Sequence, residues 1–173
     1  MTFTKYVLDK TNKELSTLEN KEIYKQLLNY VKEEADKKAL NSDKKKVYYI
    51  SAEFLIGKLL SNNLINLGIY EEIEKELNAA NKRLSDVEEA ELEPSLGNGG
   101  LGRLASCFID SISSLGITGD GVGLNYHCGL FRQVFVKNEQ HAEPNFWIED
   151  SSWLRDTDVK YTVPFKNFNL TST

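Results

Sequence analysis

The chain has 173 residues, of which 40% are apolar, 10% aromatic and 27% charged, a globular composition that excludes a disordered or fibrous protein. Its 21 basic and 26 acidic side chains leave a formal charge of -5, so no overall positive field draws it to nucleic acid or anionic lipid. The longest apolar run, Val47-Tyr48-Tyr49-Ile50, is far short of the roughly 20 residues of a membrane helix, and Met1 to Lys5 lack the apolar stretch of a secretory signal. A cytoplasmic location is expected. Cys107 and Cys128 have neither a second Cys pair nor paired histidines nearby, so they are expected to be free thiols with no metal site.

In chain order, Ser16 and Glu19 form a Ser-x-x-Glu capping box, and Ile23, Leu27, Tyr30 and Val31 repeat at helical spacing. They predict an amphipathic helix over 17–40. Leu40 to Lys46 is a polar connection whose three lysines are read as a solvated turn rather than a phosphate patch. Val47 to Ala52 carries strand-forming residues on both faces, the pattern of a buried strand. Leu59, Leu60, Asn63, Leu64 and Leu67 mark a helix stopped by Gly68, and Ile69-Tyr70 open another that carries Ile73 and Leu77. Ser85 and Glu88 cap a third, short and acidic, ending near Pro94.

Leu101, Leu104, Ala105, Phe108, Ile109, Ile112 and Leu115 recur at helical spacing before Gly116, predicting a largely buried helix. From Gly119 the texture turns to strands: Gly121 to Tyr126, Leu130 to Val136, Asp158 to Val163 and Phe165 to Leu170, with Glu143 to Trp147 in a loop. The stretch Lys166 to Thr173 alternates as a strand that needs neighbours this chain does not obviously contain. Helices followed by strands predict an α/β layer with a later β-rich part.

Four glycines, Gly97, Gly99, Gly100 and Gly102, stand immediately before the long apolar helix. A helix N-terminus offers unpaired N–H groups and the positive end of the macrodipole, and glycine admits an anion close to the backbone. Arg103 adds a cation unless it turns outward to a surface carboxylate. No Lys-Ser or Lys-Thr follows these glycines, which excludes a P-loop. Gly97-x-Gly99-x-x-Gly102 fits the dinucleotide fingerprint, with Asp120 18 residues further on, but the approach is the acidic stretch Glu88 to Glu93 and Pro94 rather than a hydrophobic strand. A bare packing turn without a ligand is the remaining alternative. Elsewhere His127 and His141 are possible bases, Asp110 near Cys107 is a catalytic or hydrogen-bonded structural acid, and Tyr48, Tyr49, Phe131, Trp147 and Trp153 make either core or a sugar-stacking platform.

Glu93 to Cys107, with the core Leu96-Gly-Asn-Gly-Gly-Leu-Gly-Arg-Leu-Ala105, resembles the signature loop of the α-glucan (glycogen, starch and maltodextrin) phosphorylases. Tyr48 to Gly57, Gly121 to Tyr126, Gly129 to Gln133, Glu143-Pro144, Trp147 and Trp153-Leu154 are similar to that family's motifs in the same order, and the bacterial branch is the nearest in kind. The resemblance implies a glycosyltransferase B-type (GT-B) fold of two Rossmann-like domains with pyridoxal phosphate in the cleft between them. It implies a retaining glycosyltransferase in which inorganic phosphate attacks the terminal α-1,4 bond of a glucan and releases glucose 1-phosphate. In that enzyme the cofactor's phosphate gives and takes the proton.

By motif position, Gly99 and Gly100 offer N–H groups to the substrate and cofactor phosphates, Asn98 lies beside the pyridoxal ring, and Leu101 borders the glucosyl pocket. Leu55 stands at a ring-facing position that is aromatic in animal members, and His127-Cys128 replaces a dipeptide that is usually acidic-aromatic. Residues 1–46 are read as a helical N-terminal segment and 47–173 as the start of an incomplete Rossmann-like domain. The C-terminal domain that carries the cofactor lysine has no counterpart here, so no catalytic residue is assigned and the isolated chain is expected to be inactive. The serine-phosphorylation segment of animal members is not visible, and a homodimer is expected of the full-length form. The alternative is a non-catalytic anion-binding or interaction module derived from the same fold.

Overall fold

The computed structural model describes residues 1–38, 45–148 and 152–172. It opens with a helix that the periodicity reading passed over, α1 (Phe3–Thr11), which starts where Thr2 Oγ1 accepts the Lys5 N–H at 3.4 Å and ends where Asn12 adopts a left-handed conformation. A short 3-10 turn, Leu15–Thr17, leads into α2 (Asn20–Lys38). The expected Ser16 cap is displaced by three residues. Thr17 is held in the 3-10 turn by its hydroxyl, which donates to the Glu14 carbonyl at 2.7 Å, and the Glu22 carboxylate accepts the Glu19 N–H at 3.1 Å. This is the reciprocal half of a capping box one turn later than expected. Of the predicted 17–40 helix, residues 39 and 40 lie outside the described residues, as does most of the lysine-rich connection; Lys46 at its end pairs with Asp120 at 2.5 Å.

Next come β1 (Val47–Ile50), α3 (Leu60–Leu67), α4 (Tyr70–Ala79) and α5 (Leu84–Glu88). Gly68 stops α3 in a left-handed conformation at φ 73°, as its position predicts. Ser85 does not cap α5. Leu84, 2% exposed, draws the helix start two residues earlier, and Arg83 at the cap position forks its guanidinium onto Asp86 at 2.8 and 3.0 Å. This helix ends at Glu88, well before Pro94.

The hydrophobic core is the packing of these five helices. Phe3, Tyr6 and Val7 meet Ile23, Leu27, Leu28 and Val31 of α2, with Leu60, Leu64, Ile73, Leu77, Leu84 and Val87 closing the far side. Full burial of such a side chain contributes about 1.5–3 kcal/mol. Trp153, from much later in the chain, packs on the edge of this core.

The second layer is thinner. The long helix α6 (Gly99–Ser114) ends at Gly116, φ 65°, and returns the chain to β2 (Gly119–Val122). β2 runs parallel to β1 with Val47 opposite Gly119 and Ile50 opposite Val122. Contrary to the expectation of burial, only Gly102 and Ala105 of α6 are buried, whereas Leu101, Leu104, Phe108 and Leu115 are 46–73% exposed. β1 is likewise exposed, with Ile50 at 79%. Among the described residues β1 has one strand neighbour and packs against α6, which leaves its other edge uncovered. Periodicity correctly gives a face; it does not supply the layer that covers it.

Two antiparallel hairpins follow. β3 (Arg132–Val136) pairs with β4 (Glu139–Glu143), a polar strand the sequence reading took partly into a loop, and β5 (Tyr161–Pro164) pairs with β6 (Asn169–Ser172). The alternating segment at Lys166 and beyond therefore has one neighbour, β5. Mixed helices and strands with a parallel β1–β2 pair make this an α/β fold. No helix among the described residues is long and apolar enough to cross a membrane.

Candidate functional site

The glycine loop is built by a clamp between two segments distant in sequence. The strap that leaves β1 lies along it: the Phe54 N–H donates to the Leu96 carbonyl and the Leu55 N–H to the Gly102 carbonyl, both at 3.0 Å. The Glu53 carboxylate accepts the Asn98 N–H at 2.9 Å. Ser51 stiffens the strap by donating its hydroxyl to the Glu53 carbonyl at 2.8 Å. Chain closure on this scale is entropically costly, and three bonds spread over seven loop residues hold it.

The four glycines divide by role. A Cβ on Gly97 would stand 2.5 Å from the Glu53 Cβ and 2.8 Å from the Phe54 nitrogen, and one on Gly102 would stand 3.0 Å from the Leu55 nitrogen. These two are glycine because the strap presses on them. Gly99 takes φ +58°, a conformation that disfavours any L side chain. Gly100 has neither reason: its φ is ordinary and nothing lies within 4 Å of where its Cβ would be.

Asn98 is extended and makes no side-chain cap to α6. The amides of Gly99, Gly100 and Leu101 fall in the first turn, where no carbonyl four residues back belongs to the helix. Three donors and the positive dipole end therefore face outward, an arrangement that accepts a phosphoryl or carboxylate group. Against this stands the Glu53 charge, one residue from the first of these amides.

Two cavities flank the loop and share Ser95, Gly97 and Leu130. One, of about 190 Å³, is lined by Glu53, Asn98, Tyr126 and Cys128. The other, of about 300 Å³, is lined by Leu55, Glu93, Phe131 and Trp147. The residues singled out from sequence are thus assembled around one loop: Asn98, Gly99, Gly100 and Leu101 in series, with Leu55 on the strap beside them. Leu101 is 59% exposed.

Of the aromatic candidates, Phe131 and Trp147 meet in the larger of these cavities, and Trp147 meets Trp153 in a small pocket behind it. Trp147 is held there by its indole N–H, which donates to the Tyr126 carbonyl at 2.8 Å. Tyr49 stacks on Phe108 at 5.4 Å, Tyr48 lies under the Lys46 ammonium, and Trp153 donates its indole N–H to Glu91.

Other candidates fall away from the loop. Asp120 sits opposite Tyr48 at the start of the parallel pair and is bound to Lys46, at the opposite end of the strands from the glycines, which removes the ribose role. Arg103 points to a groove against α3 and has no carboxylate partner among the described residues. Asp110 and Cys107 line that same groove, and Asp110 is exposed without the hydrogen bond expected of a structural acid. His127 packs edge-on to Phe146, and His141 is exposed on β4. Both cysteines are free and exposed. Among the described residues no cluster of His, Cys, Asp and Glu could hold a metal ion.

Sequence reasoning assigned no role to Glu53, Ser95 and Tyr126. Glu53 lies within the quoted strap motif, but its partner is 45 residues away, a separation no local pattern records. Tyr126 donates its hydroxyl to the Ala52 carbonyl at 3.0 Å, fastening the cavity wall to the strap.

A family profile described as carbohydrate phosphorylase matches residues 77–172. A maltodextrin phosphorylase of Streptococcus pneumoniae is 59% identical over all of this chain, which covers 23% of that protein. A glycogen phosphorylase of Haemophilus influenzae is 50% identical over 126 residues, 71% of this chain and 15% of that protein. The human brain form of glycogen phosphorylase is 37% identical over 122 residues, 70% of this chain and 14% of that protein. The chain thus spans less than a quarter of the length of these relatives.

Proposed function

The chain belongs to the carbohydrate phosphorylase family, and from that premise we propose that it supplies the anion-binding wall of a glucan phosphorylase's cleft. The reaction is phosphorolysis of terminal α-1,4-glucosyl units to glucose 1-phosphate. The whole protein takes an α-1,4-glucan and inorganic phosphate, uses pyridoxal phosphate, works in the cytoplasm and pairs as a homodimer. Its fold is the GT-B arrangement, of which residues 47–173 begin the first Rossmann-like domain and residues 1–46 form a helical segment before it. The parallel β1–β2 pair with α6 packed against both strands supports that reading, because parallel strands linked through helices build such sheets.

The residues present fit a phosphate-bearing cofactor. Space is kept open over Gly100, where alanine would cost nothing sterically and would favour the helix by about 0.5–1 kcal/mol. That empty position is the observation that carries the proposal: glycine there leaves the backbone open to something that approaches from outside the chain. When bound, pyridoxal phosphate supplies through its own phosphate a proton donor and acceptor beside the substrate phosphate.

This chain's part is binding and orientation. The N–H groups of Gly99 and Gly100 hold phosphate oxygens without titrating, so the charge of the site does not change with the proton being moved. The Asn98 carboxamide, free of a capping bond, is left to hydrogen-bond a ring heteroatom. Leu55 offers an aliphatic face to the ring, and Leu101 bounds the space left for the glucosyl unit. Clamping by Glu53, Phe54 and Leu55 fixes these groups before ligand arrives, so little ordering entropy remains to be lost.

The test is a titration of the chain with inorganic phosphate, followed at the Gly99 and Gly100 backbone amides by NMR. Saturable shifts that Gly100→Ala abolishes while the fold is kept are the expected result; a folded chain with no shift overturns the anion site. Incubation of the chain alone with maltodextrin, phosphate and pyridoxal phosphate is expected to yield no glucose 1-phosphate, since a single wall neither excludes water nor positions two reactants. Glucose 1-phosphate above the protein-free control overturns that expectation.

A further inference from the structure

The groove between α3 and α6 lies apart from the glycine loop and has a volume of about 580 Å³, within the range of small-molecule sites. We propose that it binds a neutral sugar chain. One wall carries three carboxamides, Asn62, Asn63 and Asn66 of α3; the other carries Arg103 and Asp110 of α6. None of these five side chains has a hydrogen-bond or ion-pair partner among the described residues, so their donors and acceptors are all available to a ligand.

The chemistry selects by elimination. Arg103 and Asp110 are seven residues and about 10 Å apart along the helix, a cation and an anion that leave no net field to attract an ionic ligand. Lys58, also at the rim, donates to the Glu88 carbonyl at 3.1 Å and has its charge balanced by the Glu89 carboxylate at 4.0 Å. An extended peptide needs a strand edge, an amphipathic helix needs an apolar trough, and a proline-rich helix needs an aromatic slot; two helices and carboxamides offer none of these. Planar forks of Asn, Arg and Asp do match the paired hydroxyls of a sugar ring, each hydroxyl both donating and accepting. Ile56, Leu59 and Ile109 make an aliphatic floor for the ring's C–H face. With no aromatic platform, affinity falls on the order of millimolar.

The groove does not depend on the phosphate site; only the choice of an α-1,4-linked probe rests on the proposed function. The experiment titrates the full chain with maltoheptaose and follows the side-chain amide signals of Asn62, Asn63 and Asn66 together with the backbone amides of Gly99 and Gly100. Saturable shifts in the three asparagines, with affinity lowered at least fivefold in the double variant Asn62→Ala, Asn66→Ala, are expected. Shifts confined to Gly99 and Gly100 overturn the groove and leave the loop reading standing. No shift in the asparagines at about 20 mM sugar, or shifts that inorganic phosphate reproduces, also overturns it. The wild-type asparagine signals decide the question alone if the double variant does not fold.

Discussion

At Gly97 and Gly100 the same residue type answers opposite demands. Gly97→Ala drives a Cβ into the Glu53 side chain and the Phe54 backbone, and because backbone cannot yield cheaply it is expected to destabilise the chain by about 1–3 kcal/mol. Gly100→Ala meets nothing and should raise the unfolding free energy by about 0.5–1 kcal/mol while losing phosphate. Urea titration of the pair reads both signs in one experiment, and a destabilised Gly100→Ala sinks the claim of open space. Glu53→Gln keeps an acceptor for the Asn98 N–H but removes a charge beside the loop. Phosphate affinity should rise about fivefold, roughly 1 kcal/mol for like charges near water-exposed backbone, and unchanged affinity would show that the carboxylate does not face the bound anion. Tyr6, whose hydroxyl donates to Glu33 at 3.0 Å, has its pKa pushed up to about 12 by burial and by that carboxylate. Its contribution is complete below the ordinary tyrosine value near 10 and is lost as pH climbs through about 12, so the melting temperature should fall over that window and Tyr6→Phe should flatten the fall.

Among the elements, α3 depends on a residue outside itself. Leu59, at its cap position, makes no side-chain cap, and the buried Glu91 carboxylate accepts the N–H groups of Leu59 at 2.9 Å and Leu60 at 3.2 Å, together with the Trp153 indole N–H at 2.7 Å. Glu91→Ala leaves these donors buried without acceptors and should cost roughly 3 kcal/mol in chemical denaturation; a loss below about 1 kcal/mol would mean that water replaces the carboxylate. The sequence made α3, α4 and α6 legible because each repeats apolar residues over two or more turns; α3 stops at Gly68 and α6 just before Gly116, whereas α4 ends at Ala79, ahead of Asn81 at positive φ. It hid α1, whose pattern of Phe3, Tyr6 and Val7 lasts barely two turns, and β4, whose Glu-Gln-His-Ala-Glu composition becomes a strand only because Lys137 and Asn138, both at positive φ, fold it back on β3. Composition and order pick out the glycine loop as the candidate anion site. The clamp that shapes it was not legible, since Glu53 and Asn98 meet only after the chain has closed.

Over the whole molecule, stability is divided unequally. Nearly all fully buried side chains lie between Phe3 and Val87, whereas both hairpins expose residues on each face. Native-state hydrogen exchange should therefore place the slowest amides in α1 to α5 and the fastest in β3 to β6, since local opening follows burial. Equal protection in the two halves would contradict this division.

The parallel ladder that joins Val47 to Gly119 gives the chain a timetable as well as a shape. Helical contacts within the first half can close while the polypeptide is still being synthesised, because their partners emerge together. β1 must then wait, unpaired, through four helices and the whole glycine loop before β2 leaves the ribosome. During that interval its apolar edge is the part of the nascent chain most in need of a chaperone.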